Sequence, residues 1–95
     1  MVKITWSEPA IDDLVAIGEF SGKYSEKYAS TLIRKLFSKV EILKLMPEVG
    51  RIVPEKNEAN VRELIEGNFR IIYQIKSETE IIVLIVHHSS RPLSI

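Results

Sequence analysis

The sequence predicts a two-layer α+β domain in the order β-α-α-β-β-β, a helical hairpin packed on a mostly antiparallel four-stranded sheet. Three observations carry that expectation. Residues 2–6 alternate apolar and polar, two stretches between residues 8 and 46 repeat apolar positions every three or four residues, and three strand-like runs between 61 and 87 are separated only by short turns. With 95 residues the chain fits a single domain, residues 1–95, and has no room for a second core.

Val2-Lys3-Ile4-Thr5-Trp6 reads as a first strand with one face inward. Ser7 then stands at an N-cap position, and Pro9 falls in the first turn, where the amides have no intrahelical partner. Asp12 and Asp13 complement the positive end of the helix dipole. Ile11, Leu14, Val15 and Gly18 keep helical spacing, which places a helix at residues 8–20, with Gly22 as a left-handed stop.

Ser25 caps a second, longer helix whose apolar positions are Ala29, Leu32, Ile33, Leu36, Phe37, Val40, Leu43 and Met46. Pro47 ends it, because the residue before a proline is pushed out of the helical region. Two helices with so short a link form an antiparallel hairpin. The outward face of the second helix carries Lys27, Arg34, Lys35, Lys39 and Lys44 against Glu26 and Glu41, so it is basic in a neutral chain.

Residues 47–60 are rich in Pro, Gly, Glu and Asn and read as a surface loop. Strands follow at 61–65, 69–75 and 80–87, joined by a tight Gly67-Asn68 turn and by Ser77-Glu78-Thr79. Phe69, Ile71, Tyr73 and Ile75 share one face, opposite Arg70, Ile72 and Gln74. The last strand is apolar on both faces and belongs in the interior of the sheet. The tail, 88–95, leaves the sheet near Arg91-Pro92.

The charge balance is 13 Lys+Arg against 13 Asp+Glu, hydrophobic residues make up 45%, and there is no Cys. The absence of Cys excludes a disulfide framework, a Cys-ligated zinc site and a thiol nucleophile, and points to the cytoplasm. Zero net charge counts against bulk electrostatic binding of nucleic acid. No targeting segment is visible, and the longest apolar run, 81–86, is far short of the roughly 20 residues a membrane-crossing helix needs.

Three features are candidates for chemistry. Arg62 and Arg70 lie on strands joined by a tight turn and are expected to converge on one sheet face, unless each simply pairs across strands with Glu63 or Glu66. Arg70, between Phe69 and Ile71 in a core-forming strand, must face a surface the helices do not cover. His87 and His88 point to opposite faces, so only one shares a face with Arg70, and a histidine can act as general acid or base. Arg91 is the third feature. The histidine pair cannot chelate one ion from opposite faces, and no third ligand is signalled, so no metal site is expected. Phosphate loops, nucleophile elbows and HExxH are absent.

Ile4-Thr5-Trp6-Ser7-Glu8-Pro9-Ala10 with Asp13-Leu14, then Leu45-Met46-Pro47-Glu48-Val49-Gly50-Arg51, resemble the RelE/ParE superfamily of toxins. So do Val53-Pro54-Glu55, Arg62-Glu63-Leu64, Gly67-Asn68-Phe69-Arg70-Ile71-Ile72-Tyr73 and the closing Val83-Leu84-Ile85-Val86-His87-His88 with Arg91. The resemblance runs through essentially the whole chain in one order. It implies the β-α-α-β-β-β fold and the toxin half of a type II toxin–antitoxin pair, assembled with a cognate antitoxin that wraps and masks it. It implies no cofactor and no metal.

The two branches of the superfamily imply different targets. RelE-like members cleave mRNA on the ribosome. In that branch Arg70 holds the phosphate, His88 or His87 moves the proton, Arg91 is a second cation, and Arg62 and Tyr73 assist by contact or stacking. ParE-like members poison DNA gyrase and require no catalytic residues, so the same side chains become contact or structural groups. A third possibility implied by the resemblance is a non-toxic relative that only binds an antitoxin. The neutral charge, and a tail reading Ser89-Ser90-Arg91-Pro92, favour the ParE-like branch.

Overall fold

The structure, a computed structural model, describes residues 2–93. Ser94 and Ile95, the end of the expected tail, lie outside the described residues. Strand β1 (Lys3–Trp6) leads into α1 (Glu8–Gly22) and α2 (Glu26–Glu41). Strands β2 (Arg51–Ile52), β3 (Val61–Glu66), β4 (Phe69–Ser77) and β5 (Glu80–His88) complete the chain. The sheet order is β1-β5-β4-β3-β2, with β1 parallel to β5 and the other neighbours antiparallel. None of the described helices is long and apolar enough to cross a membrane.

The sheet has five strands, not four. The extra one, β2, lies inside the segment expected to be loop, and two residues are too few to show an alternating pattern. β5 sits between β1 and β4, inside the sheet as its doubly apolar sequence requires.

Local signals account for the helix starts. The Ser7 side chain accepts from the Ala10 amide and the Ser25 side chain from the Tyr28 amide, so both expected N-caps form. The ends differ. α1 runs through Gly22, and Lys23 closes it in ordinary right-handed geometry, so Gly22 is not the left-handed stop. Only Gly67, at φ 57°, takes that conformation among the described glycines, and it does so in the β3–β4 turn. α2 gives way at Ile42 to a 3₁₀ turn, Ile42–Lys44, short of the expected end at Met46. The approaching Pro47 excludes helical geometry at Met46 and tightens the last turn.

The main core lies between the helices and one face of the sheet. Ala10, Leu14, Leu36, Val40 and Leu43 meet Leu64, Ile71, Tyr73, Ile81, Val83 and Val86 there. Phe37, 43% exposed, sits at the margin with its ring 4.7 Å from that of Trp6. The other face is not wholly polar. Val53, Val61 and Ile72 form a smaller buried cluster with Leu84, Ile85 and Leu93, which pins the 53–57 turn and the tail onto it.

Two irregularities in the β4–β5 ladder keep these faces sorted. Ile72 pairs with Ile85 but Tyr73 pairs with Val83, so Leu84 is an extra residue on β5. Ile75 pairs with Ile81 but Ser77 with Glu80, so Lys76 is an extra residue on β4. The Leu84 bulge reverses the alternation, and Ile81, Val83 and Val86 therefore all reach the helix-side core.

Candidate functional site

Register decides which candidate side chains share a face. The two-residue turn pairs Glu66 with Phe69, and the ladder then sets Ile65 opposite Arg70 and Arg62 opposite Tyr73. Arg62 accordingly shares the helix-side face with Tyr73, while Arg70 shares the open face with Glu63 and Ile65. The expected convergence of Arg62 and Arg70 on one face does not occur. On β5, His87 is opposite Arg70 and His88 is opposite Phe69, so His87 shares the Arg70 face and His88 lies on the other.

On the open face Arg70 is held at both edges. Its Nε donates to Oε1 of Glu63, a residue only 1% exposed, whose second oxygen takes the Nε of Arg51. Its Nη1 and Nη2 donate in a fork to the two carboxylate oxygens of Glu55, at 2.8 and 2.9 Å. Two arginines and two glutamates thus form a neutral cluster, and the buried Glu63 carboxylate is tolerated because a guanidinium meets each of its oxygens. The hydrogen bond from Arg70 holds the Glu55 carboxyl down at about 2, below the ordinary 4.5. The same carboxylates, Glu55 first and Glu63 second, push the Arg70 guanidinium further toward its charged form.

Glu55 reaches this position from a tight turn. The amides of Lys56 and Asn57 both donate to the Val53 carbonyl, Val53 is fully buried, and Asn57 takes a left-handed φ of 50°. Glu63 is one of the two glutamates the sequence offers as cross-strand partners of the arginines, and Arg70 does pair with it, whereas Glu55 reads only as part of the loop. The Gly67-Asn68 turn held the register that places Glu63 beside Arg70. No periodic signal in 53–57 placed Glu55.

On the helix-side face, Arg62 and Tyr73 fasten the 47–51 segment to the sheet. Arg62 donates through Nε to the Ala59 carbonyl and through Nη1 to those of Glu48 and Gly50. The Tyr73 hydroxyl donates to the Pro47 carbonyl at 2.7 Å and accepts from the Gly50 amide at 3.0 Å. Burial raises the pKa of that phenol above its ordinary value, keeping it protonated as a donor.

The strand-end histidines are also engaged. His87 Nε2 lies 2.7 Å from the Arg91 carbonyl, which folds the tail back on the sheet. His88 Nδ1 accepts from the Ser90 amide and lies 2.6 Å from the Ser90 hydroxyl, and its ring meets Phe69 edge-on at 5.3 Å. The Arg91 residue itself is exposed. Arg70, His88 and Arg91 are therefore not assembled into one constellation, because β5 delivers His88 to the face away from Arg70.

The basic helix forms a separate surface. Arg34, Lys35 and Lys39 line an open groove of about 540 Å³ with Thr31, Ser38 and Glu66. Among the described residues no group of three or more His, Asp or Glu is placed to hold a metal ion.

A helical hairpin packed on one face of this sheet is the architecture that the resemblance to the RelE/ParE superfamily of toxins implies. The profile described as "ParE toxin of type II toxin-antitoxin system, parDE" matches residues 4–92, and the chain belongs to this ParE family of type II toxins. Among solved structures the chain is similar to a protein described as "Chromosomal ParDE TA system from P. aeruginosa". The TM-score is 0.77 and the identity 23%, over 93% of this chain and 96% of that one. At that identity the likeness speaks for the fold. No curated protein matches the chain.

Proposed function

We propose that this toxin arrests growth in the cytoplasm by poisoning DNA gyrase, and that a cognate antitoxin neutralises it by masking its surface. The observation that carries this reading is the state of Arg70. Cleavage of RNA through its own 2′-OH needs an accessible cation at the phosphate and a proton-transfer group beside it. Here Arg70 is occupied by Glu55 and Glu63, His88 lies on the opposite face of the sheet, and His87, which shares the Arg70 face, has its Nε2 engaged by the Arg91 carbonyl. A protein target makes no such demand, and it suits a chain with 13 basic and 13 acidic residues. The ParE family assignment supports the same branch.

The test sets two assays side by side on the purified protein. Blocked gyrase supercoiling, restored by adding the antitoxin, with ribosome-bound mRNA left intact, is the expected result. Codon-dependent mRNA cuts on ribosomes that vanish in Arg70→Ala would overturn it in favour of the nuclease branch. Inactivity in both assays, with no growth arrest on expression, would overturn it in favour of a binding-only relative.

A further inference from the structure

We infer that the outer edge of the Arg70 guanidinium is a docking point for a side-chain carboxylate of a protein partner, and that Glu55 is the intramolecular carboxylate that fills it beforehand. This holds whether or not gyrase is the target.

The inner edge of Arg70 is fixed. Glu63 is buried, binds Nε, and is itself secured by Arg51, so the guanidinium is pre-oriented with its Nη1 and Nη2 fork turned outward. Its side chain is 12% exposed, and the fork meets a half-exposed glutamate where the inner edge meets a buried one. A fixed planar fork of this kind matches a carboxylate with two parallel hydrogen bonds.

The present occupant is displaceable. The Glu55 side chain is 38% exposed, and among the described residues Arg70 is the only other residue it hydrogen-bonds. The turn beneath it is held independently by buried Val53 and the bonds to the Val53 carbonyl. Glu55 can therefore swing away without opening the core. What it leaves is a fork flanked by Ile65, the cross-strand neighbour of Arg70, 48% exposed. An acidic side chain next to an apolar one complements that pair.

Charge selects the source of the incoming group. A carboxylate replaces the Glu55 carboxylate on the fork like for like, one negative charge and two acceptor oxygens against the same two donors. A nucleic-acid strand would bring successive phosphates toward a segment, 47–60, that carries Glu48, Glu55 and Glu58 against Arg51 and Lys56, with the displaced Glu55 still tethered beside it. A protein carboxylate is the better fit.

The test titrates the full chain with acetate and, separately, with inorganic phosphate, at ionic strength held constant with chloride. The readout is the NMR signal of the Arg70 Nε–H group. Glu55→Gln removes the tethered competitor; with Glu55 leaving the fork free in roughly a tenth of molecules or fewer, acetate binds the variant at least roughly tenfold more tightly than wild type. Glu55→Asp, which keeps the charge on a shorter arm, falls between the two. Phosphate binds Glu55→Gln no more tightly than acetate does. Identical titrations of wild type, Glu55→Gln and Glu55→Asp would overturn the docking point. Tighter binding of phosphate than acetate would overturn the choice of a protein carboxylate and point to nucleic acid.

Discussion

The hydroxyl of Tyr73 lies 2.7 Å from the carbonyl oxygen of Pro47, joining the middle of the central strand to a loop 26 residues earlier. The same oxygen accepts the Gly50 amide, so one buried phenol satisfies two backbone groups at once. Tyr73→Phe keeps the ring and removes both bonds. It is expected to cost about 1–3 kcal/mol, since two polar groups lose their partner in a dry site. Denaturant unfolding measures this directly. The wild type also loses stability as pH rises past 10, because the unfolded phenol ionises there while the buried one holds its proton. Tyr73→Phe lacks that alkaline component, and an unchanged alkaline slope would contradict the assignment.

Gly50 is the partner that makes this contact possible. A Cβ at Gly50 would lie 2.6 Å from both the Glu63 carbonyl oxygen and the Tyr73 hydroxyl. The first is backbone in the middle of a ladder and cannot give way. Gly50→Ala is therefore expected to destabilise by about 1–3 kcal/mol through overpacking. If Gly50→Ala matches wild type in thermal unfolding, the loop does not approach the sheet this closely.

Much of this was legible in the sequence, for reasons that explain the exceptions. Ser7 and Ser25 announce helix starts because a cap is a local interaction between neighbours. The faces of β4 were legible because alternation is local too. That Arg62 and Arg70 part company was encoded in the Gly67-Asn68 turn, which fixes Arg62 opposite Tyr73, but closeness in sequence suggests the opposite. The two bulges, at Lys76 and Leu84, cancel, so each histidine takes the side that the pairing of Ser77 with Glu80 dictates. The faces of residues 81–83 between them were not legible, because no hydrophobic pattern marks a single extra residue. The pairing of Glu55 with Arg70 spans fifteen residues of a segment without periodicity, and only the folded turn brings them together.

That pairing has an acid signature. The Glu55 carboxyl titrates at about 2 in the folded protein, held down first by the hydrogen bond from Arg70, against an ordinary 4.5. Between these values the unfolded chain binds the proton and the folded one does not, so stability is complete above 4.5 and falls as pH drops toward 2. Glu55→Gln is expected to flatten the stability profile within that window by lowering the plateau above it, while the two proteins converge at the acid end. Denaturant midpoints taken at steps of pH give the comparison. Parallel profiles for wild type and variant would show that the ion pair is not formed in solution.

Asp13 supplies the last test, one of how α1 is fixed to the sheet. β1 ends at Trp6, so β5 has no strand neighbour on that edge beyond Val83. Its exposed backbone groups are taken up from α1 and its cap. The Ser7 amide donates to the Val83 carbonyl, the Ser7 hydroxyl donates to the Leu84 carbonyl, and an Asp13 oxygen accepts the Val86 amide at 2.9 Å. Asp13 therefore stands in for a missing strand and does more than complement the helix dipole. Asp13→Ala leaves the Val86 amide without an acceptor and is expected to cost about 1–2 kcal/mol, whereas Asp13→Asn retains an oxygen and costs less. Hydrogen exchange at Val86 separates this local role from a general loss of stability. In Asp13→Ala it should accelerate more than exchange at Ile71, which pairs with Val86 inside the ladder. Equal acceleration at both positions would mean that Asp13 acts only through global stability.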